Sequence, residues 1–130
     1  MIAINTGLVL IAGAMLLPLL GKTLSRFASL AIAILGLVWF LNLPHEITQT
    51  VSLFNLDLMP LRLDYLSWIF GLIFHIAAII STLYALHVKD TKQHVAGLVY
   101  AGAAIMAALA GDLVTLFIAW ELTAIGSVVL

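Results

Sequence analysis

The segment that decides the fold is LVTLFIAWELTAIGSVVL, residues 113–130, which holds one charged side chain, Glu121. A run of this length and apolarity is typical of a helix that crosses a membrane. Counted from Asp112, a rise of about 1.5 Å per residue puts Glu121 roughly 13 Å along, near the middle of a hydrocarbon layer about 30 Å thick. An acidic side chain at that depth costs about 2.5–3.5 kcal/mol, so such residues usually line an ion pathway or pair with another group.

The composition indicates an integral membrane protein. The chain has 130 residues, of which 65% are hydrophobic and 8% charged, whereas soluble domains are about 25% charged. The net charge of −1 argues against a nucleic-acid partner, which requires a clustered basic surface. The sequence has no cysteine, so disulfides and thiolate metal sites are excluded. It shows no phosphate loop, dinucleotide fingerprint or metal-ligand spacing, and therefore predicts neither a metal nor a cofactor.

Four more apolar runs are long enough to cross a bilayer: residues 2–20, 27–43, 64–86 and 95–111. With residues 113–130, they predict a single-domain, all-α membrane protein with about five transmembrane helices. Asp64 and Asp112, at the starts of the third and fifth runs, are predicted to cap their helices. Small residues of the fourth run (Gly97, Ala101, Ala104, Ala108 and Gly111) fall on one face and predict close packing with neighbouring helices.

The loop between the second and third runs predicts a short hairpin. Residues 48–54 are rich in Thr, Val and Phe, and residues 56–63 alternate apolar with charged side chains. This pattern is typical of two strands that turn near Asn55. Pro60 limits the second strand to an edge position because proline has no amide hydrogen to donate.

Glu121 admits two interpretations. It is either a neutral acid that hydrogen-bonds a neighbouring helix, or a proton- or cation-binding group whose pKa is set by burial against a basic partner. All five Lys and Arg residues lie outside the apolar runs. Glu121 is therefore expected to be protonated at rest or to meet a cationic partner from elsewhere.

Three more polar residues lie within the apolar runs. Thr115 and Thr123 are candidates to line a channel beside Glu121, or they bond to helix carbonyls. His75, midway along the third run, is either a neutral imidazole bonded to an adjacent helix or a proton relay. His87 and His94, which flank the third loop, are predicted to be solvated; the alternative is a metal pair, but nothing else in that loop resembles a ligand set.

Residues 111–123, with Asp112, Phe117 and the pair Trp120-Glu121, resemble the fifth membrane helix of the proton-translocating antiporter-like subunits. That family includes membrane-arm subunits of respiratory complex I, large subunits of Mrp-type sodium/proton antiporters, and membrane subunits of membrane-bound hydrogenases. The segment LDYLS at residues 63–67 is similar to the start of the family's third helix. An outer hairpin after the first two helices also fits.

The resemblance implies a proton-translocating subunit of a multisubunit complex, with sodium as a second candidate ion and Glu121 as the proton-carrying group. The partners would be other membrane subunits. Any redox enzyme activity, as in a quinone reductase or hydrogenase, would reside in those subunits. Family members are much longer and carry the cooperating lysines on later helices. The chain is therefore interpreted as a partial copy of a larger bundle that ends within its fifth helix. The alternative is a structural subunit that packs in a complex without carrying ions.

The positions of the basic residues predict the topology. Lys22 and Arg26 lie in the first loop and Lys89 and Lys92 in the third, whereas the second loop has only Arg62. The positive-inside rule then predicts a multi-pass protein of the cell membrane with the N-terminus outside.

Labelling with a membrane-impermeant maleimide tests this topology, since the chain contains no natural cysteine. We expect Asp90→Cys to react only from the cytoplasmic side and Asp57→Cys, in the predicted hairpin, only from the outside. Selective labelling of position 90 from the outside would reverse the assignment.

Overall fold

Helices account for most of the chain in the computed structural model, which describes residues 5–43, 47–53, 55–88 and 90–129. Five α-helices follow one another, with one β-hairpin between the second and third. They are α1 (Thr6–Leu16), α2 (Gly21–Leu41), α3 (Tyr65–Tyr84), α4 (Thr91–Leu109) and α5 (Leu113–Val129). Short 3-10 turns, Leu17–Leu19 and Ala85–His87, follow α1 and α3. The hairpin strands are β1 (Ile47–Leu53) and β2 (Leu56–Leu63).

Two segments in the described part of the chain are long and apolar enough to cross a membrane. They are Thr23–Leu41 and Tyr65–His87, with 19 and 23 residues. Thr6–Leu19 and Leu113–Val129 are apolar but shorter, and α4 opens with the polar residues Lys92, Gln93 and His94. Large apolar side chains stand exposed on each of the five α-helices, for example Leu16, Leu35, Ile73, Tyr100 and Val128. Such extensive exposed apolar surface marks contact with a membrane or with other proteins.

Two helices begin earlier than the apolar runs predicted. α2 starts at Gly21 and α4 at Thr91, so Lys22 and Lys92 lie in the first turns of helices and Arg26 in a second turn, not in loops. Hydropathy marks only the residues suited to hydrocarbon, and a helix can continue beyond them into the polar headgroup region. In the structure the Lys92 side chain is exposed and the Arg26 side chain is half-buried.

The hairpin confirms the strand prediction, including its turn. β1 pairs antiparallel with β2, and Asn55 at the turn has φ of 63°, a left-handed conformation that Asn tolerates better than most residues. The register shifts between Gln49 and Val51, so two residues, Met59 and Pro60, stand opposite the single residue Thr50. A bulge is one of the few strand positions that accept proline.

The hairpin lies over one end of the helices. Leu61 and Leu63 of β2 are buried in the core together with Leu109 at the end of α4. Strand β2 also contacts α3 and α5. The hairpin therefore covers the end of the bundle where α3 and α5 begin, which places the caps of both helices beside it.

Helix α4 is the centre of the bundle, since it packs against each of the other four α-helices. Its tightest contact is with α1, where a β-carbon at Gly102 would lie 2.7 Å from the Gly7 carbonyl oxygen and 2.9 Å from Ile11 Cγ1. Asn5, which caps α1, adds a hydrogen bond of 3.2 Å from its side-chain amide to the Met106 carbonyl oxygen. The backbones of α1 and α4 can therefore touch only because both contact residues are glycine.

The predicted small-residue face of α4 is only half-buried in this chain: Gly97, Ala101, Ala104, Ala108 and Gly111 all have intermediate exposure. The fully covered face instead carries Leu98, Gly102, Ile105 and Leu109. Close packing of α4 is thus observed, but it occurs around Gly102, and a β-carbon at Gly97 would meet no atom within 4 Å.

These two glycines of one helix form a matched pair for a stability test. Gly102→Ala should lower the free energy of unfolding by about 1–3 kcal/mol, because the added methyl group overpacks the α1 contact. Gly97→Ala should be neutral or raise it by up to about 1 kcal/mol, through helix propensity alone. Denaturant titration in detergent micelles measures both. Equal effects at the two positions would show that α1 does not approach α4 as described.

Candidate functional site

Asp112 fixes the start of α5, as predicted for a cap. One carboxylate oxygen accepts a 2.8 Å hydrogen bond from the Thr115 backbone N–H, and the other accepts a 2.7 Å hydrogen bond from the Thr115 hydroxyl. The Asp112 carbonyl oxygen then accepts the first bond of the helix from the Leu116 N–H, at 3.1 Å. An aspartate at this position also interacts favourably with the positive end of the helix dipole. These bonds set both the depth and the rotation of every residue that follows in α5.

Glu121 lies eight residues after Leu113, about 12 Å along the helix, and it faces away from α4. Its side chain is exposed, and so are those of Phe117 and Trp120, by 64% and 68%. Together they border a shallow cavity of about 440 Å³ lined by Leu113, Leu116, Phe117, Trp120 and Glu121. Within the described ranges, no side chain hydrogen-bonds to or pairs with the Glu121 carboxylate. This face is apolar except for one acid, and the chain itself leaves it uncovered.

Thr115 and Thr123 lie on the opposite side of α5, so the structure does not bring them to Glu121. At 100° per residue, they are about 120° and 160° around the helix from it. The Thr123 hydroxyl donates to the Ala119 carbonyl oxygen at 2.9 Å, and the Thr115 hydroxyl is used by Asp112. Ala119 and Gly126, on the same side as the threonines, are buried, and Gly126 packs directly on the Tyr100 backbone of α4. In this chain both threonines therefore belong to the surface that packs on α4.

His75 is completely buried in α3 and faces α2. Its ring stacks on Phe40 with ring centroids 4.6 Å apart and a 22° angle between the planes. Nδ1 lies 2.6 Å from the Gly71 carbonyl oxygen. A carbonyl oxygen can only accept, so Nδ1 carries the hydrogen and Nε2 is the bare nitrogen of the neutral ring. Nε2 is buried and has no hydrogen-bond partner among the described residues.

The two ionisable candidates, His75 and Glu121, are on different sides of the central helix. Helices α3 and α5 each pack on α4, and they do not share a comparable contact with each other in the described part of the chain. His75 faces inward to α2, and Glu121 faces outward. No route of hydrogen-bonded side chains between described residues joins them, so the structure supports separate roles for the two residues.

A buried polar cluster that the sequence did not predict lies at the end of the bundle where α2 and α4 begin. Arg26 Nη1 donates to the Leu86 carbonyl oxygen at 3.0 Å, and the hydroxyls of Ser25 and Thr91 are 3.4 Å apart. His94 is buried, not solvated as predicted, and its Nε2 is 2.7 Å from the Val88 carbonyl oxygen. These contacts hold Leu86 and Val88, which follow α3, against α2 and α4. The spacing of Ser25 and Ser29, four residues apart beside Arg26, was the only sequence signal.

At the opposite end, Asp64 caps α3 by accepting a 2.8 Å hydrogen bond from the Ser67 N–H. Hydrogen bonding from Ser67 holds the pKa of the Asp64 carboxyl below its usual range, and Arg62 lowers this pKa further. Because the folded-state pKa is depressed, the cap stabilises α3 at pH values above the ordinary pKa of aspartate, and this contribution is lost as the pH falls through the lowered pKa.

No group of three His, Asp or Glu side chains in the described residues could hold a metal ion. The chain matches no family model, no curated protein and no solved structure. Its function must therefore be argued from the geometry of its own residues.

Substitution of His75 separates packing from proton relay. If the chain works in an ion-transporting complex, as its resemblance implies, we expect His75→Phe to assemble and to leave transport near normal, because the ring can still stack on Phe40 and an unpaired nitrogen is removed. His75→Ala should lower the free energy of unfolding by about 2–5 kcal/mol through the cavity that it leaves. Transport normalised to assembled protein is the measurement. Loss of transport in a fully assembled His75→Phe complex would assign a relay role to Nε2.

Proposed function

We propose that this chain is part of a proton-translocating membrane subunit in a multisubunit complex of the cell membrane, with Glu121 as the proton-carrying group. The translocated ion is the proton, and a sodium/proton exchange is the variant that the family resemblance suggests. The observation that carries the proposal is the exposed carboxyl of Glu121 in the middle of an otherwise apolar helix face.

The energetics of this face support the proposal. An ionised carboxylate in contact with lipid at this depth is costly, by about 2.5–3.5 kcal/mol on the most lenient scale. It is tolerated if the group is protonated, or if another membrane element brings a basic or polar side chain to it. A carboxyl group that is tolerated both when protonated and when ionised beside such a partner can bind and release a proton as the nearby charge changes. The exposed Phe117 and Trp120 beside it offer the apolar surface on which such an element would pack.

The membrane arrangement that fits this function has all five α-helices crossing the bilayer, with the N-terminus outside. The 17 described residues of α5 reach the lower limit for a span, and the described part of α1 with its 3-10 turn is shorter. Short spans are accommodated by local thinning of the bilayer or by packing among protein neighbours. The hairpin would then lie on the outer surface, and the basic first turns of α2 and α4 in the cytoplasmic headgroup region.

A structural subunit that carries no ions is the second candidate. One observation favours it: the hydroxyls of Thr115 and Thr123 bond to groups in or beside α5, and His75 faces α2, so none of the three presents a polar group to Glu121. In that case Glu121 would be a protonated acid that only hydrogen-bonds a neighbouring helix.

Substitutions of Glu121 distinguish the two functions, measured in the complete complex and normalised to assembled protein. Glu121→Gln keeps the size and hydrogen-bonding capacity of the side chain but cannot titrate, so proton transport should be abolished while assembly is retained. Glu121→Asp should keep partial transport, because it is ionisable but one methylene shorter. Asp57→Asn, an exposed acid of the hairpin, is the matched control and should have no effect. Near-normal transport in an assembled Glu121→Gln complex would leave Glu121 as a packing residue.

A further inference from the structure

An apolar groove lies at the end of the bundle opposite the hairpin. It has a volume of about 610 Å³ and runs between the end of α1, the first half of α4 and the second half of α5. Met15, Val95, Leu122 and Ile125 contribute apolar walls, and Thr91 and Lys92 stand at one end. The groove is thus an apolar trough with a hydroxyl and an ammonium group at its mouth.

The described side chains at this end of the molecule carry a net positive charge. The first two turns of α2 and α4 and the connection before α4 contain Lys22, Arg26, Lys89 and Lys92, and the same stretches have one acid, Asp90. Asp90 is exposed and caps α4 by accepting a 3.0 Å hydrogen bond from the Lys92 backbone N–H. Among the described side chains, Arg26 and Lys92 stand against Asp90, an excess of one positive charge, which favours an anionic ligand.

We infer that the groove binds an anionic phospholipid, with one acyl chain along the apolar trough and the headgroup at Lys92. From Lys92 to Val99 the wall of α4 is about 10 Å long, which fits within one leaflet of a hydrocarbon layer about 30 Å thick. Basic pockets between membrane helices at the positive side of a protein are typical headgroup sites. A purely apolar occupant would leave the Lys92 ammonium group at the end of the groove without a counter-charge. The inference needs the chain to lie in a membrane, but it does not need Glu121 to carry protons.

Photocrosslinking tests the site with the full chain in phosphatidylcholine vesicles. The probe is a small fraction of phosphatidylglycerol with a diazirine in its acyl chain, and the matched probe is phosphatidylcholine with the same group. We expect phosphatidylglycerol to label residues 92–99 and 122–129 preferentially. Lys92→Gln should reduce this labelling about fivefold, the effect of one basic residue near a membrane surface. Arg62→Gln, at the other end of the molecule, should leave it unchanged.

A second pair of variants blocks the groove itself. Ile125 is 60% exposed and lines it, whereas Ile118, on the same helix, is 46% exposed and lies outside it. Ile125→Trp should abolish labelling of residues 92–99, and Ile118→Trp should not. Equal labelling by the two lipids, or labelling that Lys92→Gln and Ile125→Trp leave unchanged, would overturn the inference. Equal labelling would mean that the site does not distinguish the two headgroups. Labelling that the variants leave unchanged would mean that the labelled lipid does not lie in the groove.

Discussion

The contact between Gly7 and Gly102 is the constraint on which the rest of the bundle depends. Both residues lack a side chain at the point where α1 meets α4, so the two backbones approach to a distance that no other residue pair would allow. Since α4 is also the helix against which α2, α3 and α5 pack, the position of α1 on α4 determines the space left for the others. Between helices that are surrounded by lipid the hydrophobic effect gives no driving force, so close steric fit carries much of the free energy of helix association.

Features that depend on neighbouring residues were predictable from the sequence. The caps Asp64 and Asp112 and the turn at Asn55 are local, because each is specified by residues two or three positions away. Apolar runs gave the number and approximate position of the helices. They missed the true starts of α2 and α4, because hydropathy records suitability for hydrocarbon and carries no information on where helical hydrogen bonding begins.

Features that depend on distant residues were not predictable. The sequence placed Gly97 on the packing face of α4, yet it is Gly102 that meets another backbone, since the choice depends on the rotation of α4 relative to α1. His94 was expected in solvent, but the connection between α3 and α4 folds back over it and supplies the Val88 carbonyl oxygen. Helix geometry alone places Glu121 on a different side of α5 from Thr115 and Thr123. The sequence does not show which of these sides packs on α4, because that depends on the contact between Gly126 and Tyr100.

The two hydrogen bonds between Asp112 and Thr115 fix the orientation of the first turn of α5. Because it anchors the first turn, the direction of the Glu121 side chain is determined by the count of nine residues from Asp112 rather than by the identity of the apolar residues between them. Insertion of one residue in that interval would swing the carboxyl through about 100° toward the packed surface. A change in the identity of the intervening apolar side chains therefore leaves the direction of the carboxyl unchanged, whereas a change in their number alters it.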